Sequence, residues 1–229
     1  SPPEASDGTT RTKVSDMLTV LVDYDSGNLH SAEKAFQRMA SESGAGDILV
    51  SSRPEDVARA DRIVLPGVGH FADCAAGLTS RRGVTEALNE AVFRSQRPFL
   101  GICVGMQLMA ERGLEHEVTQ GFGWIAGDVK PIEPRNAKYK IPHMGWNQVN
   151  YIREHDIFKG IENRSEFYFV HSYYPAPQSH DDALAASNYA GMDFHCVLNK
   201  GTLISTQFHV EKSGEPGLQL LKNFSKWTP

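Results

Sequence analysis

Apolar and polar positions along this chain follow two different rhythms. Residues 18–23 (LTVLVD) form an unbroken apolar run that stops at the turn-forming sequence Asp-Tyr-Asp-Ser-Gly-Asn. A short apolar run bounded by turn residues predicts a strand buried on both faces. Residues 29–40 follow with apolar positions at helical spacing, and 47–51 read as a second short strand. Arg53-Pro54-Glu55-Asp56 reads as a helix start, because proline fits the first helical turn and acidic residues suit its positive end. Residues 62–66 (RIVLP) give another buried strand, and 84–95 a long helical stretch. Residues 98–102 form a strand that runs into Cys103-Val104-Gly105 and a further helix. Apolar strands alternating with helices predict an α/β fold, a mainly parallel sheet with helices on both faces.

From about residue 121 the rhythm changes. Residues 123–131, 141–150, 166–174, 183–189, 194–199 and 202–209 read as strands separated by turns, which predicts an antiparallel extension of the sheet. Residues 217–227 (GLQLLKNFSKW) close the chain as an amphipathic helix, with Leu218, Leu220, Leu221 and Phe224 facing the sheet. No repeat, linker or low-complexity tract interrupts residues 17–229, so one domain is expected there. Residues 1–16 are small, polar and turn-forming, without the apolar stretch of a signal peptide. They read as a disordered leader, and Met17 stands directly before the first strand.

Charge and cysteine usage narrow the function classes. The 229 residues carry 23 Lys and Arg against 28 Asp and Glu, a net charge of −5 that argues against a nucleic-acid partner. No apolar run approaches the length of a membrane span. Cys74, Cys103 and Cys196 lack Cys-x-x-Cys spacing, so neither a disulfide framework nor a zinc site is expected, and a reducing cytoplasm fits. None of the nine histidines forms a His-x-x-x-His pair. Neither a metal nor a cofactor is expected.

The chemistry concentrates in Gly101-Ile102-Cys103-Val104-Gly105. A Gly-x-Cys-x-Gly turn between strand and helix has the mechanics of a nucleophile elbow. It lifts Cys103 to a helix N-terminus, where the dipole favours the reactive thiolate. Far downstream, His209-Val210-Glu211 supplies an imidazole and a carboxylate two residues apart, on one face of an extended segment. Glu211 orients His209, and His209 takes the proton of Cys103, which completes a Cys-His-Glu relay. Pro66-Gly67-Val68-Gly69 follows the RIVLP strand at the same sheet edge. It is either a tight strand-to-helix loop or an oxyanion-hole strand, with the amides of Val68 and Gly69 joining that of Val104. Most aromatics of residues 167–173 belong to the core, whereas His171, Ser172 and Tyr173 are candidates for a pocket wall. Trp146, beside Gly145, is either a core residue or part of an interaction surface.

Together, DYDSGNL (23–29), LPGVG (65–69), LGICVGMQL (100–108), PHMGWN (142–147), FYFVHSYY (167–174) and TQFHVEKSG (206–214) resemble the class I, triad-type glutamine amidotransferases. Within that superfamily the chain is similar to the glutaminase subunits of imidazole glycerol phosphate synthase. The resemblance implies a flavodoxin-like fold, with Cys103, His209 and Glu211 as the catalytic triad. It implies glutamine as substrate, held by Gln107, Glu115, Ser172 and Tyr173. It also implies a heterodimer partner, a (β/α)₈ cyclase subunit, which receives the ammonia. Pro229 follows the closing helix directly, so that cyclase is expected on a different chain. Trp146, Tyr168 and Lys212 are the expected partner-facing residues. The resemblance further implies a latent glutaminase, in which partner binding flips a peptide near Val68–Gly69 to supply an oxyanion donor. Two positions depart from the family pattern. Val210 stands where proline is usual, which is expected to loosen the relay slightly. Asp25 stands where glycine is common, at a turn that aspartate tolerates.

Overall fold

The computed structural model describes residues 16–229. The expectation for a leader over residues 1–16 lies, except for Asp16, outside the described residues. The first half contains strands β1 (Leu18–Val22), β2 (Asp47–Ser51), β3 (Arg62–Leu65) and β4 (Phe99–Ile102). Its helices are α1 (Leu29–Ser43), α2 (Pro54–Arg59), α3 (Phe71–Thr79), α4 (Val84–Asn89) and the single turn α5 (Val104–Gln107). Ten strands follow: β5 (Ala110–Gly113), β6 (Thr119–Gln120), β7 (Ile125–Pro131), β8 (His143–Gln148), β9 (Asn150–Tyr151) and β10 (Glu166–His171). The last four are β11 (Tyr173–Pro177), β12 (Ala183–Tyr189), β13 (Met192–Lys200) and β14 (Leu203–Thr206), before helix α6 (Gly214–Lys226).

The main sheet has the order β2-β1-β3-β4-β14-β13-β12-β9. Its first five strands are parallel, and β13, β12 and β9 add antiparallel strands at one edge. This is the flavodoxin-like strand order with the expected extension. Val20, Leu21, Val22, Ile63, Val64, Leu65, Phe99 and Leu100 are fully buried, as continuous apolar runs require. Leu218, Leu220, Leu221 and Phe224 of α6 are buried too.

Several elements depart from the sequence reading, each for a local reason. Residues 166–174 are not one strand. The chain leaves β8, the antiparallel partner of β10, and crosses at Ser172 to pair with β7 through β11. Pro175 and Pro177 restrict β11 to the edge of its sheet. The helical stretch 84–95 is α4 followed by a π-helical turn over Glu90–Arg94. Helix α3 was hidden because Ala and Gly dilute its buried face of Phe71, Cys74 and Leu78. Strands β5 and β6 are polar and exist through pairing with each other and with β7.

The topology explains how distant motifs meet. Strand β4 lies between β3 and β14, with Leu65 opposite Gly101 and Thr206 opposite Ile102. All three strands are parallel, so PGVG, Cys103 and Gln207-Phe208-His209 emerge side by side at one sheet edge. At the elbow, a Cβ on Gly105 would overlap the Leu65 carbonyl, and one on Gly101 would come within 2.8 Å of the Gly105 carbonyl. These glycines let the turn close against the neighbouring strand.

Candidate active site

Cys103 sits at φ 56° and ψ −113°, a strained conformation for a residue with a Cβ. Such strain is expected of a residue held on a nucleophile elbow. The helix behind it, α5, is four residues long, so little dipole acts on the sulfur.

Cys103 is 3 % exposed, yet it lines a cavity of about 510 Å³ together with His209. Its Sγ lies 3.7 Å from the Val170 carbonyl and accepts from Gln207 Nε2 at 3.7 Å. His209 Nδ1 donates to Glu211 Oε1 at 2.7 Å, and both side chains are almost wholly buried. Asn28 Nδ2 donates to the same oxygen at 2.8 Å. A carboxylate that accepts from Nδ1–H leaves Nε2 as the ring nitrogen available for proton exchange with the thiol. Burial lowers the proton affinity of His209. Hydrogen bonding and charge at Cys103 and Glu211 outweigh it and push the imidazole up to about 10.

Residues 209–211 are not extended. Val210–Lys212 form a 3-10 turn, and that turn brings Glu211 back onto His209. The His209 backbone is tied to β10 by its amide, which donates to the Tyr168 carbonyl at 2.8 Å. The Ser213 hydroxyl donates to the His209 carbonyl at 2.6 Å. With this framework around buried Val210, the 2.7 Å contact forms without proline at that position. Asp25 has φ 62°, the left-handed geometry anticipated for the glycine-like position.

Two of the three candidate oxyanion donors face other acceptors. The Val68 amide donates to the Ser26 carbonyl at 3.2 Å, and the Val104 amide to the Gly67 carbonyl at 3.1 Å. The carbonyl and amide of one peptide, Gly67–Val68, thus make both contacts. That peptide directly precedes the Val68–Gly69 position at which the sequence reading expects a flip. Gly69, at φ 91°, and Val68 line the cavity with Val104. Tyr24 donates to the Pro66 carbonyl and Cys74 to that of Val68 at 3.3 Å, so the chain is held on both sides of the peptide.

All four candidate glutamine-binding residues, Gln107, Glu115, Ser172 and Tyr173, line the same cavity. Gln107 Nε2 donates to the Tyr173 carbonyl at 3.1 Å and to Gln207 Oε1 at 3.2 Å. Glu115 accepts from the Phe71 amide at 3.1 Å and contacts His70 Nδ1. The sequence reading missed Asn28, although its motif was noted, and Gln207. Their roles depend on contacts across 183 and 104 residues. Lys212 lies at the cavity rim. Trp146 and Tyr168 do not line it; they are cross-strand partners on β8 and β10, with ring centroids 5.7 Å apart. Trp146 is 53 % exposed, which answers the core alternative.

Sequence spacing gave no metal cluster, but the fold brings ligand atoms of His70, Glu115 and His116 within 4.8 Å of one another. Glu115 is already engaged there by His70 and the Phe71 amide.

Two further buried histidines set an acid limit on stability. Burial pushes His143 down to about 4 and His171 down to about 3, from 6.5. As pH falls below 6.5 the unfolded chain takes up protons that the folded chain refuses, so stability drops until about pH 4 and about pH 3 respectively. His209 acts oppositely: its contribution is complete below 6.5 and is lost as pH rises through about 10. Moving from pH 7 to pH 5 is expected to cost about 2 kcal/mol for each of His143 and His171. Urea midpoints at the two pH values measure this, and His143→Phe is expected to remove about half of the difference. Equal midpoints for the parent protein would contradict it.

Comparison with known proteins agrees with the geometry. The family described as glutamine amidotransferase class-I matches residues 21–227. The imidazole glycerol phosphate synthase subunit HisH of Cereibacter sphaeroides is 58 % identical over 213 residues, covering 93 % of this chain and all of that protein. HisH subunits of Ruegeria pomeroyi (53 % over 213 residues) and Brucella abortus (50 % over 217 residues) have the same coverage. Among solved structures, a putative GMP synthase component from Thermoplasma acidophilum superposes with a TM-score of 0.63 at 18 % identity, covering 92 % of each chain. A structure described as glutamine amidotransferase gives 0.67 at 14 % identity, covering 91 % of this chain and 99 % of that one. At these identities the structural likeness is one of fold. Family match and close relatives together place the chain in the class-I glutamine amidotransferases, among the HisH subunits of imidazole glycerol phosphate synthase.

Proposed function

We propose that this chain hydrolyses glutamine to glutamate and ammonia with Cys103 as nucleophile, His209 as proton carrier and Glu211 as orienting carboxylate. The observation that carries the reading is the strained Cys103 elbow opening into the same cavity as a Glu211-held His209. The thiolate attacks the side-chain carbonyl carbon, and the C–N bond breaks as His209 gives its proton to the leaving nitrogen. Water, deprotonated by His209, then cleaves the γ-glutamyl thioester and releases glutamate. Gln107, Glu115, Ser172 and Tyr173 hold the zwitterionic end of glutamine. Free ammonia in water at neutral pH is protonated and loses its nucleophilicity. A buried route to a partner avoids that loss.

The partner is a (β/α)₈ cyclase subunit in a cytoplasmic heterodimer. It uses the ammonia to make imidazole glycerol phosphate and aminoimidazole carboxamide ribotide in histidine biosynthesis. No described helix is long and apolar enough to cross a membrane. Exposed Trp146, its neighbour Tyr168 and rim-placed Lys212 form the docking face. In the resting state the Gly67–Val68 peptide blocks Val104 with its carbonyl and turns the Val68 amide towards Ser26. Rotating that one peptide would free both amides from these acceptors, beside the cavity that Val68, Gly69 and Val104 line. Glutamine turnover measured alone and with a nucleotide-loaded cyclase tests this reading. Stimulation by the loaded partner is expected; equal rates would remove the latency.

A further inference from the structure

Behind the glutamine cavity runs a row of polar side chains that the proposed chemistry does not use. Asn147 Nδ2 donates to the Asn188 carbonyl at 2.8 Å and lies 3.3 Å from His143 Nε2. His143 Nδ1 lies 2.9 Å from His171 Nε2, and His171 Nδ1 lies 2.8 Å from the Tyr173 carbonyl. That carbonyl also accepts from Gln107, whose amide group reaches Gln207, and Gln207 in turn reaches the Cys103 sulfur.

The chemistry at the two ends fixes the direction of the row. A carbonyl only accepts, so His171 must carry its proton on Nδ1 and offer Nε2 as acceptor. His143 must then donate from Nδ1 and accept at Nε2, where the Asn147 amide supplies a donor. Both rings are therefore neutral Nδ1–H tautomers with both nitrogens partnered. A second proton on His171 would set donor against donor. The rings cannot turn over freely: His143 is stacked between Phe169 and Tyr189, at centroid distances of 4.8 and 4.1 Å. His143 and His171 are directly paired across β8 and β10, and β8 exposes Met144 and Trp146 on its outer side. Two apolar residues would fill this volume without any hydrogen-bonding requirement; buried imidazoles are tolerable only when fully partnered.

We propose that Asn147, His143 and His171 are positioning residues for the glutaminase site, a one-way hydrogen-bonded row that fixes the Tyr173 carbonyl and through it Gln107. The proposal rests on the reading of Gln107 and Tyr173 as glutamine-binding residues. It links the strand facing the partner to the substrate-holding end of the cavity. Of the two histidines, His171 lines the cavity whereas His143 does not, so His143 tests transmission rather than contact.

Two measurements test it. In the full chain labelled with ¹⁵N-histidine, nitrogen shifts and couplings are expected to show the Nδ1–H tautomer at both His143 and His171. An Nε2–H tautomer at either ring overturns the row. In the complex with the cyclase, His143→Phe is expected to raise KM for glutamine about tenfold, the equivalent of one lost buried hydrogen bond, with kcat little changed. His143→Gln, which can both donate and accept, restores KM to near the parent value. Equal KM values for the two variants, or a loss confined to kcat, would show a merely structural role and overturn the proposal. The tautomer measurement needs no turnover, so it can fail while the glutaminase reading stands. A parent complex unable to use glutamine would instead sink that reading, and the positioning role with it.

Discussion

Cys103→Ala is expected to abolish glutamine-dependent synthesis in the complex, by roughly 10⁴-fold or more, while synthesis from added ammonium salts continues at the parent rate. The asymmetry follows from where the side chain sits. Among the described residues, the sulfur is the group placed to form a bond with the substrate carbonyl, whereas the step that consumes ammonia takes place on the partner. Alanine keeps the Cβ that φ 56° already accommodates, so the elbow and the surrounding sheet edge should persist. Far-UV circular dichroism and co-purification with the cyclase check that the variant is folded and bound. Persistent glutamine use would show that another group is the nucleophile. Cys74 is a poor substitute: burial pushes its thiol up to about 12, and it donates to the Val68 carbonyl.

Binding of the nucleotide-loaded cyclase is expected to raise glutamine hydrolysis by roughly 10²–10³ or more, since each oxyanion donor is typically worth about 2.7–4 kcal/mol and the proposed rotation frees two amides. The proposed latency rests on two contacts at the elbow. The Val104 amide is occupied by the Gly67 carbonyl, and the Val68 amide by that of Ser26. Releasing both costs about 0.5–1.5 kcal/mol per hydrogen bond, a sum that partner contacts can offset. The rotation is local because Tyr24 and Cys74 hold the carbonyls of Pro66 and Val68, on either side of the peptide. The increase should appear in kcat more than in KM, since the donors act on the developing oxyanion. Equal rates for the isolated glutaminase and the loaded complex would contradict this account.

The parallel half of the fold was legible because its strands are buried on both faces, which leaves continuous apolar runs such as LTVLV and RIVL. The elbow was legible for the same kind of reason: glycines 101 and 105 stand where the backbone touches β3 and itself. The sheet switch at Ser172 was not legible. The aromatic and apolar character of residues 167–174 continues across it, while the pairing partner changes from β8 to β7.

At the site, the residues proposed to do chemistry were visible in the sequence, and several that hold them were not. Cys103, His209 and Glu211 announce themselves by type and local spacing. Asn28 reaches Glu211 from the far end of the sequence, and only the parallel order of β1, β3, β4 and β14 brings them together. The 3-10 turn at Val210–Lys212 likewise replaces the extended geometry suggested by His-x-Glu spacing, yet yields the same contact.

The central claim is that Cys103 is a nucleophile served by His209. Its most direct test is covalent labelling by a glutamine-like electrophile, diazo-oxo-norleucine, in the loaded complex, followed by peptide mass analysis. One adduct per chain is expected, on Cys103, formed much more slowly in the His209→Asn variant. An unmodified Cys103, an adduct on Cys74 or Cys196, or labelling indifferent to loss of the imidazole would contradict it.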